Sequence, residues 1–479
     1  MLQRNWSAYI KDLDRVDKDL ERSRTVFIGA TPYTRIVPSF FMKNYEILCL
    51  KDCKEIDYLR QYADIYCLER EFPDTIDQIK STTELVKNRY FLQHLKQSGR
   101  RFSVLLYMLG GALQNELRQK GIHYLANHPM IARGVLYKGN FRKLLKQLKL
   151  PTLPDKLFPK GDFMSLDYQD LVKEFGPSFV CQRGDYDTGG QRGTFFVHQQ
   201  NDFELVKNNF TAEGNFKTVQ LSKFIKGNSL SMIGCVTESG ILCSGLQTQL
   251  VDIPEVLDGE EALGQFLGHD WGNRDYSHEA VIQAEAVIKT LGRHLYEKKY
   301  RGIFGVDFMY DPKTPAAIYP IECNPRFTGS FPLISLLQMQ KRLPPFELFH
   351  ILEHKKIKYE AEVDVLNKLY KDLPPQSNIY VGAHNVSRMP VELESGVYVF
   401  NDQGDISYKR PGAFPWQLKN EFEFLVIDNI FFKNYPLMQD VSRLFRLIFP
   451  RRISETSNQL QPLFRHIVKS FTHLINHHQ

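Results

Sequence analysis

Three polar side chains alternate along residues 318–330, IYPIECNPRFTGS, a stretch whose other residues are typical of a strand. Glu322, Asn324 and Arg326 are spaced two residues apart, so all three lie on the same face of that strand. A carboxylate, an amide and a guanidinium on a half-buried face are costly to desolvate without partners. The pattern therefore indicates a site that holds a metal ion or a phosphate.

A second carboxylate precedes this strand. Asp307 lies in the apolar run FGVDFMY, and the midpoint between Asp307 and Glu322 falls at 314–315, within the loop sequence DPKTPA. If the two runs form an antiparallel hairpin, the carboxylates lie nearly opposite each other and repel unless a cation lies between them. With Asn324 they make an all-oxygen ligand set that suits Mg²⁺ or Mn²⁺. The alternative is an ion pair between Glu322 and Arg326 on an exposed strand.

A glycine-rich segment, CQRGDYDTGGQRGTFFV at residues 181–197, connects two further predicted strands. Gly189, Gly190 and Gly193 would let the backbone approach a ligand and direct N–H groups at phosphate oxygens. Arg192 adds a cation to the same loop. An ordinary flexible connection between strands is the alternative, because glycine-rich loops are common.

The elements that must position these residues follow a mixed pattern. Strands predicted at 25–32, 45–50 and 63–69 alternate with charged helical segments, which indicates an α/β domain with a largely parallel sheet. A basic amphipathic helix follows Lys138 and ends before Pro151. The predicted domains are a helical arm (1–24), an α/β domain (25–130), two further subdomains (131–225 and 226–340) and a β-rich and helical extension (341–479). In the extension, both LFRLIFPRR and HIVKSFTHLINHHQ are predicted to be helical.

Composition narrows the class of protein. The chain has 479 residues, 43% of them hydrophobic and 24% charged, as in an ordinary globular protein. A net charge of +6 is small for this length and gives no reason to expect a nucleic-acid partner. The first residues lack the apolar core of a secretion signal, and SVLLYMLGGAL is too short to span a bilayer. Seven cysteines without a CxxC pair fit a reducing compartment. We therefore expect a cytoplasmic protein without a membrane span.

Taken in order, these features resemble the ATP-grasp superfamily over roughly residues 130–335. The matching features are the Lys-x-x-Phe helix start at Lys138, the strand before the lid at Gln182, the glycine-rich lid, the hinge strand LSKFIKG, and the closing Glu-x-Asn-x-Arg strand with Asp307 before it. The resemblance implies an ATP-grasp fold, α/β and in part α+β. A Rossmann-like domain would precede it, and a β-rich and helical extension would follow.

The resemblance also implies roles for residues, with ATP and Mg²⁺ (or Mn²⁺) as cofactors. The metal ligands would be Asp307, Glu322 and Asn324, and the catalytic residue would be Arg326. The nucleotide would be held by Lys138, Gln182, Gly189, Gly190, Arg192, Gly193, Lys223 and Ile225. Two positions depart from the family pattern. Gln182 stands where a lysine is usual, and Ser222 stands where the hinge usually opens with an acidic residue.

The implied reaction is an ADP-forming ligation. A small-molecule carboxylate is phosphorylated by ATP, and an amine or amino acid then displaces phosphate to form a C–N bond. Three alternatives stay open: condensation of an amino acid such as glycine with a cyclic enol or ketone, as in the mycosporine-glycine synthase type; a kinase without amine dependence; and a non-catalytic nucleotide-binding protein, which Gln182 and Ser222 favour. Many relatives are dimers, so a homodimer is expected.

Overall fold

The computed structural model of the chain describes residues 6–75, 79, 81–97, 99, 101–185, 193–212, 216–259, 264–314, 317–437 and 441–477. Three sheets organise the described residues: a five-stranded parallel sheet, a four-stranded antiparallel sheet and an eleven-stranded antiparallel sheet. A two-stranded ribbon lies near the C-terminus. Helices pack on these sheets, and the candidate site lies between the four-stranded and the eleven-stranded sheets.

The N-terminal region is an α/β domain with parallel strand pairing throughout. Its sheet has the order β3-β2-β1-β4-β5, and the predicted strands at 25–32, 45–50 and 63–69 are β1, β2 and β3. The predicted fold class is thereby confirmed for this part of the chain. The elements are α1 (Leu13–Leu20), β1 (Arg24–Gly29), β2 (Tyr45–Cys49), α2 (Glu55–Leu59), β3 (Asp64–Cys67), α3 (Leu68–Glu71), α4 (Thr82–Lys87), α5 (Arg89–Gln97), β4 (Phe102–Leu105), α6 (Gly111–Gln119) and β5 (Tyr124–Leu125).

The next region builds the four-stranded sheet, in the order β6-β9-β7-β8. One face of this sheet packs on helices through a core rich in phenylalanine, including Phe163, Phe179 and Phe203. Burying several aromatic rings gives this small unit its own hydrophobic core. The elements are α7 (Pro129–Leu136), α8 (Lys138–Gln147), β6 (Asp155–Pro159), α9 (Lys160–Met164), α10 (Tyr168–Phe175), β7 (Phe179–Arg183), β8 (Thr194–Val197), α11 (Gln200–Ala212) and β9 (Thr218–Lys223).

The eleven-stranded sheet begins at β10 and contains two hairpins, of which the sequence analysis predicts the second, β14–β15. β10 and β11 join through a two-residue turn, with Thr237 opposite Gly240, and β14 and β15 pair antiparallel. Helix α13 covers one face of this half of the sheet. The elements are β10 (Asn228–Thr237), β11 (Gly240–Cys243), β12 (Gln247–Val251), α12 (Pro254–Leu257), β13 (Phe266–Asp270), α13 (His278–Glu297), β14 (Gly302–Tyr310) and β15 (Ile318–Asn324).

The C-terminal residues continue this same sheet, because β16 pairs with β13 and the strands β20, β19, β17 and β18 follow it. The elements are α14 (Leu333–Gln340), α15 (Phe346–Lys355), α16 (Val363–Tyr370), β16 (Ser377–Ala383), β17 (Gly396–Phe400), β18 (Ile406–Arg410), β19 (Glu423–Ile427), β20 (Val441–Phe449), β21 (Ser454–Thr456), β22 (Gln459–Leu460) and α17 (Pro462–Asn476). The predicted domain boundaries remain predictions.

The two predictions for the tail have opposite outcomes. The helical prediction for LFRLIFPRR is wrong, because Leu444–Phe449 lie in β20, an interior strand that pairs with β16 on one side and β19 on the other. A short apolar run buried on both faces cannot be distinguished from a buried helix by its periodicity. The final stretch is helical, as predicted, and α17 buries Ile467, Val468 and Phe471 against its own protein. Across the described ranges, no helix combines the length and the apolarity needed to cross a membrane.

Candidate active site

A cavity of about 610 Å³ lies between the four-stranded sheet and the β14–β15 hairpin, and we call it the larger cavity. The segment 222–227, which leads from β9 to β10, forms one wall. Ser222, Lys223 and Ile225 all line the cavity, where the resemblance puts the hinge, and Ser222 is buried there. The apolar part of the lining consists of Leu153, Val180, Phe196, Phe224, Ile225, Val251, Met309 and Ile321. An apolar slot beside exposed backbone suits a planar ring system.

The polar end of the larger cavity brings together residues from four elements, α8, β7, β8 and β15. The hydroxyl of Thr194 accepts hydrogen bonds from Lys138 Nζ at 3.0 Å and from Gln182 Nε2 at 2.9 Å. Lys138 Nζ also lies 3.7 Å from Glu322 Oε2. The alternative of an ion pair between Glu322 and Arg326 is therefore wrong, since the ionic partner of Glu322 is Lys138. This end of the cavity carries the charge needed to hold phosphates.

The start of α8 is held against β7 by a close backbone contact. The N–H of Gly139 donates to the carbonyl of Gly184 at 2.9 Å. A Cβ at position 139 would lie 3.0 Å from that same carbonyl oxygen and 3.3 Å from the Leu157 side chain, so glycine allows the approach. The contact fixes Lys138, the first residue of the helix, beside the strand that carries Gln182.

The predicted hairpin is confirmed, with Asp307 directly opposite Glu322. A β-bulge lies between Asp307 and Phe308, because Phe308 is opposite Pro320, so Ile321 is the extra residue. Without this bulge Asp307 would face Ile321. The bulge therefore brings Glu322 across from Asp307, and both Ile321 and Glu322 line the larger cavity.

A chain of hydrogen bonds orients the carboxylate of Asp307. Its Oδ1 accepts from Gln249 Nε2 at 2.9 Å, and its Oδ2 accepts from Asn324 Nδ2 at 2.9 Å. The oxygen of Asn324 in turn accepts from Arg326 Nη2 at 2.9 Å. Burial, and then the charge of Glu322, raise the pKa of Asp307, while Arg326 and the two hydrogen bonds lower it. Asp307 is thus an acid that a nearby cation would strongly favour in its ionised form.

The residues fit the divalent cation that the resemblance implies. Asp307 and Glu322 face each other, and a cation between them would offset both their repulsion and the burial of Asp307. The oxygen of Asn324 retains a lone pair beside its bond from Arg326. Among the residues with described placement, no group of three His, Cys, Asp or Glu side chains could hold a metal by itself. A set of two carboxylates and one amide suits Mg²⁺ that takes its other ligands from phosphate and water.

Comparison with protein families decides the class of this site. Residues 183–330 match the sequence model of the ATP-grasp domain. The chain contains an ATP-grasp domain. The predicted resemblance is thereby confirmed, and the matched range runs from the end of β7 through the Glu-x-Asn-x-Arg residues to Ser330. A comparison with curated proteins found no match.

Solved structures share the architecture of the ATP-grasp domain and of the regions around it. The biotin carboxylase domain of the 2-oxoglutarate carboxylase from Hydrogenobacter thermophilus is 14% identical, with 90% of this chain and 87% of that chain covered and a TM-score of 0.59. Biotin carboxylase from Campylobacter jejuni is 13% identical, with 91% and 89% covered and a TM-score of 0.59. The N5-carboxyaminoimidazole synthase from Aspergillus clavatus is 10% identical, with 94% and 99% covered and a TM-score of 0.53. Likeness at these identities demonstrates the fold.

Of the glycine-rich segment of the ATP-grasp domain, the structure describes the two ends, residues 181–185 and 193–197. The strands β7 and β8 pair antiparallel, and the N–H of Arg183 donates to the carbonyl of Gly193 at 3.1 Å. The predicted ligands Gly189, Gly190 and Arg192 lie outside the described residues. Their role as phosphate ligands remains a prediction, as do the ligand roles of Lys138, Gln182, Gly193, Lys223 and Ile225.

Arg326 of the ATP-grasp domain borders a second cavity, of about 210 Å³, which we call the smaller cavity. This cavity lies between the residues that follow β15 and the loop 106–111, which follows β4 of the N-terminal domain. Arg326 also donates to the carbonyl of Phe327 at 2.9 Å. Tyr107, from the loop, donates a hydrogen bond to the carbonyl of Thr328. Glu322 and Arg326 are four residues apart and contact different cavities.

Arginines from distant parts of the chain lie near Tyr107, and sequence analysis identified Arg326 but missed the other three. Burial raises the pKa of Tyr107, while the guanidinium charges of Arg326, Arg446, Arg443 and Arg35 lower it. Arg446 pairs with Asp428 at 2.7 Å and donates to the carbonyl of Phe331 at 3.1 Å. This concentration of positive charge beside the Glu-x-Asn-x-Arg residues favours an anion. No local pattern could reveal it, because Arg443 and Arg446 lie in β20 while Arg35 and Arg326 lie outside the strands, and only tertiary packing brings them together. Gln249 was missed for the same reason.

Proposed function

We propose that this chain is an ADP-forming ligase that joins a small-molecule carboxylate to an amine or amino acid. The observation that carries the proposal is the position of Glu322 on the larger cavity and of Arg326 on the smaller one. ATP in the larger cavity would then present its γ-phosphate at the end of β15, next to an acid held beside Arg326. That the neighbours from H. thermophilus and A. clavatus were solved with MgADP and ADP supports ATP as the nucleotide and Mg²⁺ as its ion.

The proposed reaction has two steps. A carboxylate oxygen of the acid attacks the γ-phosphorus of ATP, an O–P bond forms, the bond from that phosphorus to the β–γ bridging oxygen breaks, and ADP leaves. The amine nitrogen then attacks the acyl carbon, a C–N bond forms, the C–O bond to phosphate breaks, and phosphate leaves while the amine loses a proton to solvent. Both steps develop negative charge on oxygen, which fixed cations stabilise.

Each candidate residue has a defined task in this scheme. Lys138 exchanges its contact with Glu322 for a phosphate oxygen, and Gln182 donates a neutral hydrogen bond to the same phosphates. Mg²⁺, bound through Asp307, Glu322 and Asn324, would neutralise charge on the phosphates. Arg326, oriented by Asn324, stabilises the acyl phosphate and the tetrahedral species that follows it.

The test is ADP and phosphate formation from MgATP, with pooled amino acids and a panel of carboxylic acids. Wild type is compared with Glu322→Ala and with Glu297→Ala. The second variant is the matched control, because it makes the same substitution at an exposed glutamate at the end of α13. We expect ADP formation that needs both the acid and the amine, disappears in Glu322→Ala and persists in Glu297→Ala. ADP formation that ignores the amine and leaves a stable phosphorylated product would make the protein a kinase. AMP as the product would refute the proposed phosphoryl transfer.

We also propose a homodimer, which one neighbour supports. The H. thermophilus structure is described as a dimer. Light scattering on the purified protein would give the mass, and a single species at about the monomer mass of 55.8 kDa would contradict this part of the proposal.

A further inference from the structure

The walls of the smaller cavity are mainly apolar. Besides the loop 106–111 and residues 325–327, they are built by α7 and by the residues just before it. The apolar side chains that line the space include Leu106, Leu109, Ala126, Pro129, Ala132 and Leu136. A ligand body in this space would gain free energy mostly by burying apolar surface.

Several polar groups of the wall are already engaged within the protein. Asn127 donates to the backbone carbonyl of Arg301 at 2.7 Å and accepts from its N–H at 2.8 Å. The hydroxyl of Tyr300 donates to the carbonyl of Ile303 at 2.5 Å, and the hydroxyl of Tyr107 donates to the carbonyl of Thr328. His350 also lines the cavity, and its buried Nε2 has no hydrogen-bond partner among the described residues, so it could bond one ligand hydroxyl. A ligand with several hydroxyl groups would still lose more bonds to water than these groups could replace.

The charged side chains on the cavity differ in burial. Arg133 is exposed to solvent, whereas Arg326 is half-buried. In the part of the chain that the structure describes, the guanidinium of Arg326 contacts an amide oxygen and a backbone carbonyl rather than a carboxylate. Its remaining N–H groups can still pair with an anion. One end of the cavity thus has a cation, and most of the remaining wall is apolar.

We propose that the smaller cavity holds the acid that the ligase activates, and that this acid is a compact aliphatic or aromatic carboxylic acid. Its carboxylate lies at Arg326, and its body fills the apolar space. The volume of about 210 Å³ is below the range of roughly 300–1,000 Å³ of drug-sized ligand sites, which limits the body to a branched chain or a single ring. The inference rests on the proposed function and goes beyond it, because it excludes polyhydroxylated rings and sugar phosphates as the acid.

A matched pair of acids tests this class directly. Cyclohexanecarboxylate and its tetrahydroxylated analogue quinate have the same ring and the same carboxylate, so only the hydroxyl groups differ. Binding of each is measured by titration calorimetry, with and without Mg²⁺ and a non-hydrolysable ATP analogue. Isovalerate and benzoate are measured as two further apolar acids, one with a branched chain and one with an aromatic ring. We expect at least one apolar acid to bind, and quinate to bind at least about tenfold more weakly than cyclohexanecarboxylate.

Cavity-narrowing variants locate the binding. Gly110 lines the cavity, has an ordinary backbone conformation (φ −90°), and a Cβ there would meet no atom within 4 Å. Gly110→Val extends a side chain into open space, and Ala132→Leu enlarges a second lining side chain. Both variants should weaken acid binding by about tenfold or more, with ATP-analogue affinity unchanged. Gly134→Val is the control, because a Cβ there also meets nothing within 4 Å and Gly134 lies outside this lining.

The outcomes separate this inference from the proposed function. Quinate binding as tightly as cyclohexanecarboxylate, no binding of any apolar acid at millimolar concentration, or an unchanged affinity in both narrowing variants would overturn the inference. Stimulation of ADP formation by bicarbonate alone would also overturn it. Failure of the wild type to bind the ATP analogue would count against the proposed function, while acid binding measured without nucleotide would still decide the class of acid.

Discussion

Lys138 at the start of α8 and Glu322 near the end of β15 lie 3.7 Å apart, Nζ to Oε2, at the polar end of the larger cavity. Both side chains are partly buried, with 17% and 30% of their surface exposed. Each is held close to the position where a phosphate and its cation would meet, so little reorganisation is required when nucleotide enters.

Lys138→Met should weaken nucleotide binding. The variant removes a cation that pairs with phosphate, and a hydrogen bond to a charged group contributes about 1.5–3 kcal/mol, which corresponds to roughly a ten- to hundredfold loss of affinity. Titration calorimetry with MgADP measures the loss. Lys143→Met is the control, because Lys143 lies on the same helix but is exposed and borders a different groove. Equal affinities in the two variants would contradict a phosphate role for Lys138.

Gln249→Leu should raise the Mg²⁺ concentration needed for nucleotide binding. Gln249 donates to Asp307 at 2.9 Å and accepts from Ser229 Oγ at 2.6 Å, so it orients a predicted metal ligand without contacting the metal. Loss of such a supporting hydrogen bond costs about 10–100-fold in metal affinity. The readout is nucleotide binding as a function of Mg²⁺ concentration, with thermal unfolding as a check on folding. An unchanged Mg²⁺ dependence in a folded variant would show that Gln249 does not support the metal ligand.

Arg446→Met should destabilise the protein by about 3–5 kcal/mol, because it leaves the buried carboxylate of Asp428 without its cation. The two side chains are 2% and 3% exposed and lie 2.7 Å apart. The free energy of unfolding in urea measures the effect. The double variant Arg446→Met/Asp428→Leu should recover much of the loss, since no uncompensated charge remains. A double variant as unstable as the single one would show that packing, rather than charge, dominates at this position.

The free energy of unfolding should fall as pH rises from 4.5 towards 8, in part because of Glu347. Burial raises the pKa of Glu347 from 4.5 to about 8, while a hydrogen bond from Ser335 lowers it. The folded protein therefore binds this proton more tightly than the unfolded chain. The resulting stabilisation is complete below pH 4.5 and is lost as pH rises through about 8. Each pKa unit corresponds to about 1.4 kcal/mol.

Glu347→Gln removes this titration and should flatten the decline. Urea unfolding at a series of pH values compares the two proteins. A variant that retains the full wild-type slope between these pH values would assign the dependence to other buried acids, such as Glu55, whose pKa burial raises to about 7.

The sequence was sufficient for features that depend on short-range order. The spacing of Glu322 and Asn324 predicted a polar face on one strand, and its distance from Asp307 predicted the hairpin, because both follow from the period of a strand and the length of one loop. The predicted face does not extend to Arg326, because β15 ends at Asn324 and Arg326 contacts the smaller cavity. The alternation of apolar and charged segments predicted the parallel N-terminal sheet. The resemblance to the ATP-grasp superfamily followed from the order of these local motifs.

What the sequence determined by itself was therefore the class of fold and the placement of Glu322 and Asn324 on one strand opposite Asp307. The tertiary structure decided that β20 is an interior strand, that the bulge at Ile321 sets Glu322 against Asp307, and that a second cavity adjoins Arg326. It also decided which distant side chains, Gln249 and Arg446 among them, support the site. The reason is physical. Local periodicity reports which face of an element is buried, but contacts between residues far apart in the chain arise from sheet pairing and packing, which leave no local pattern.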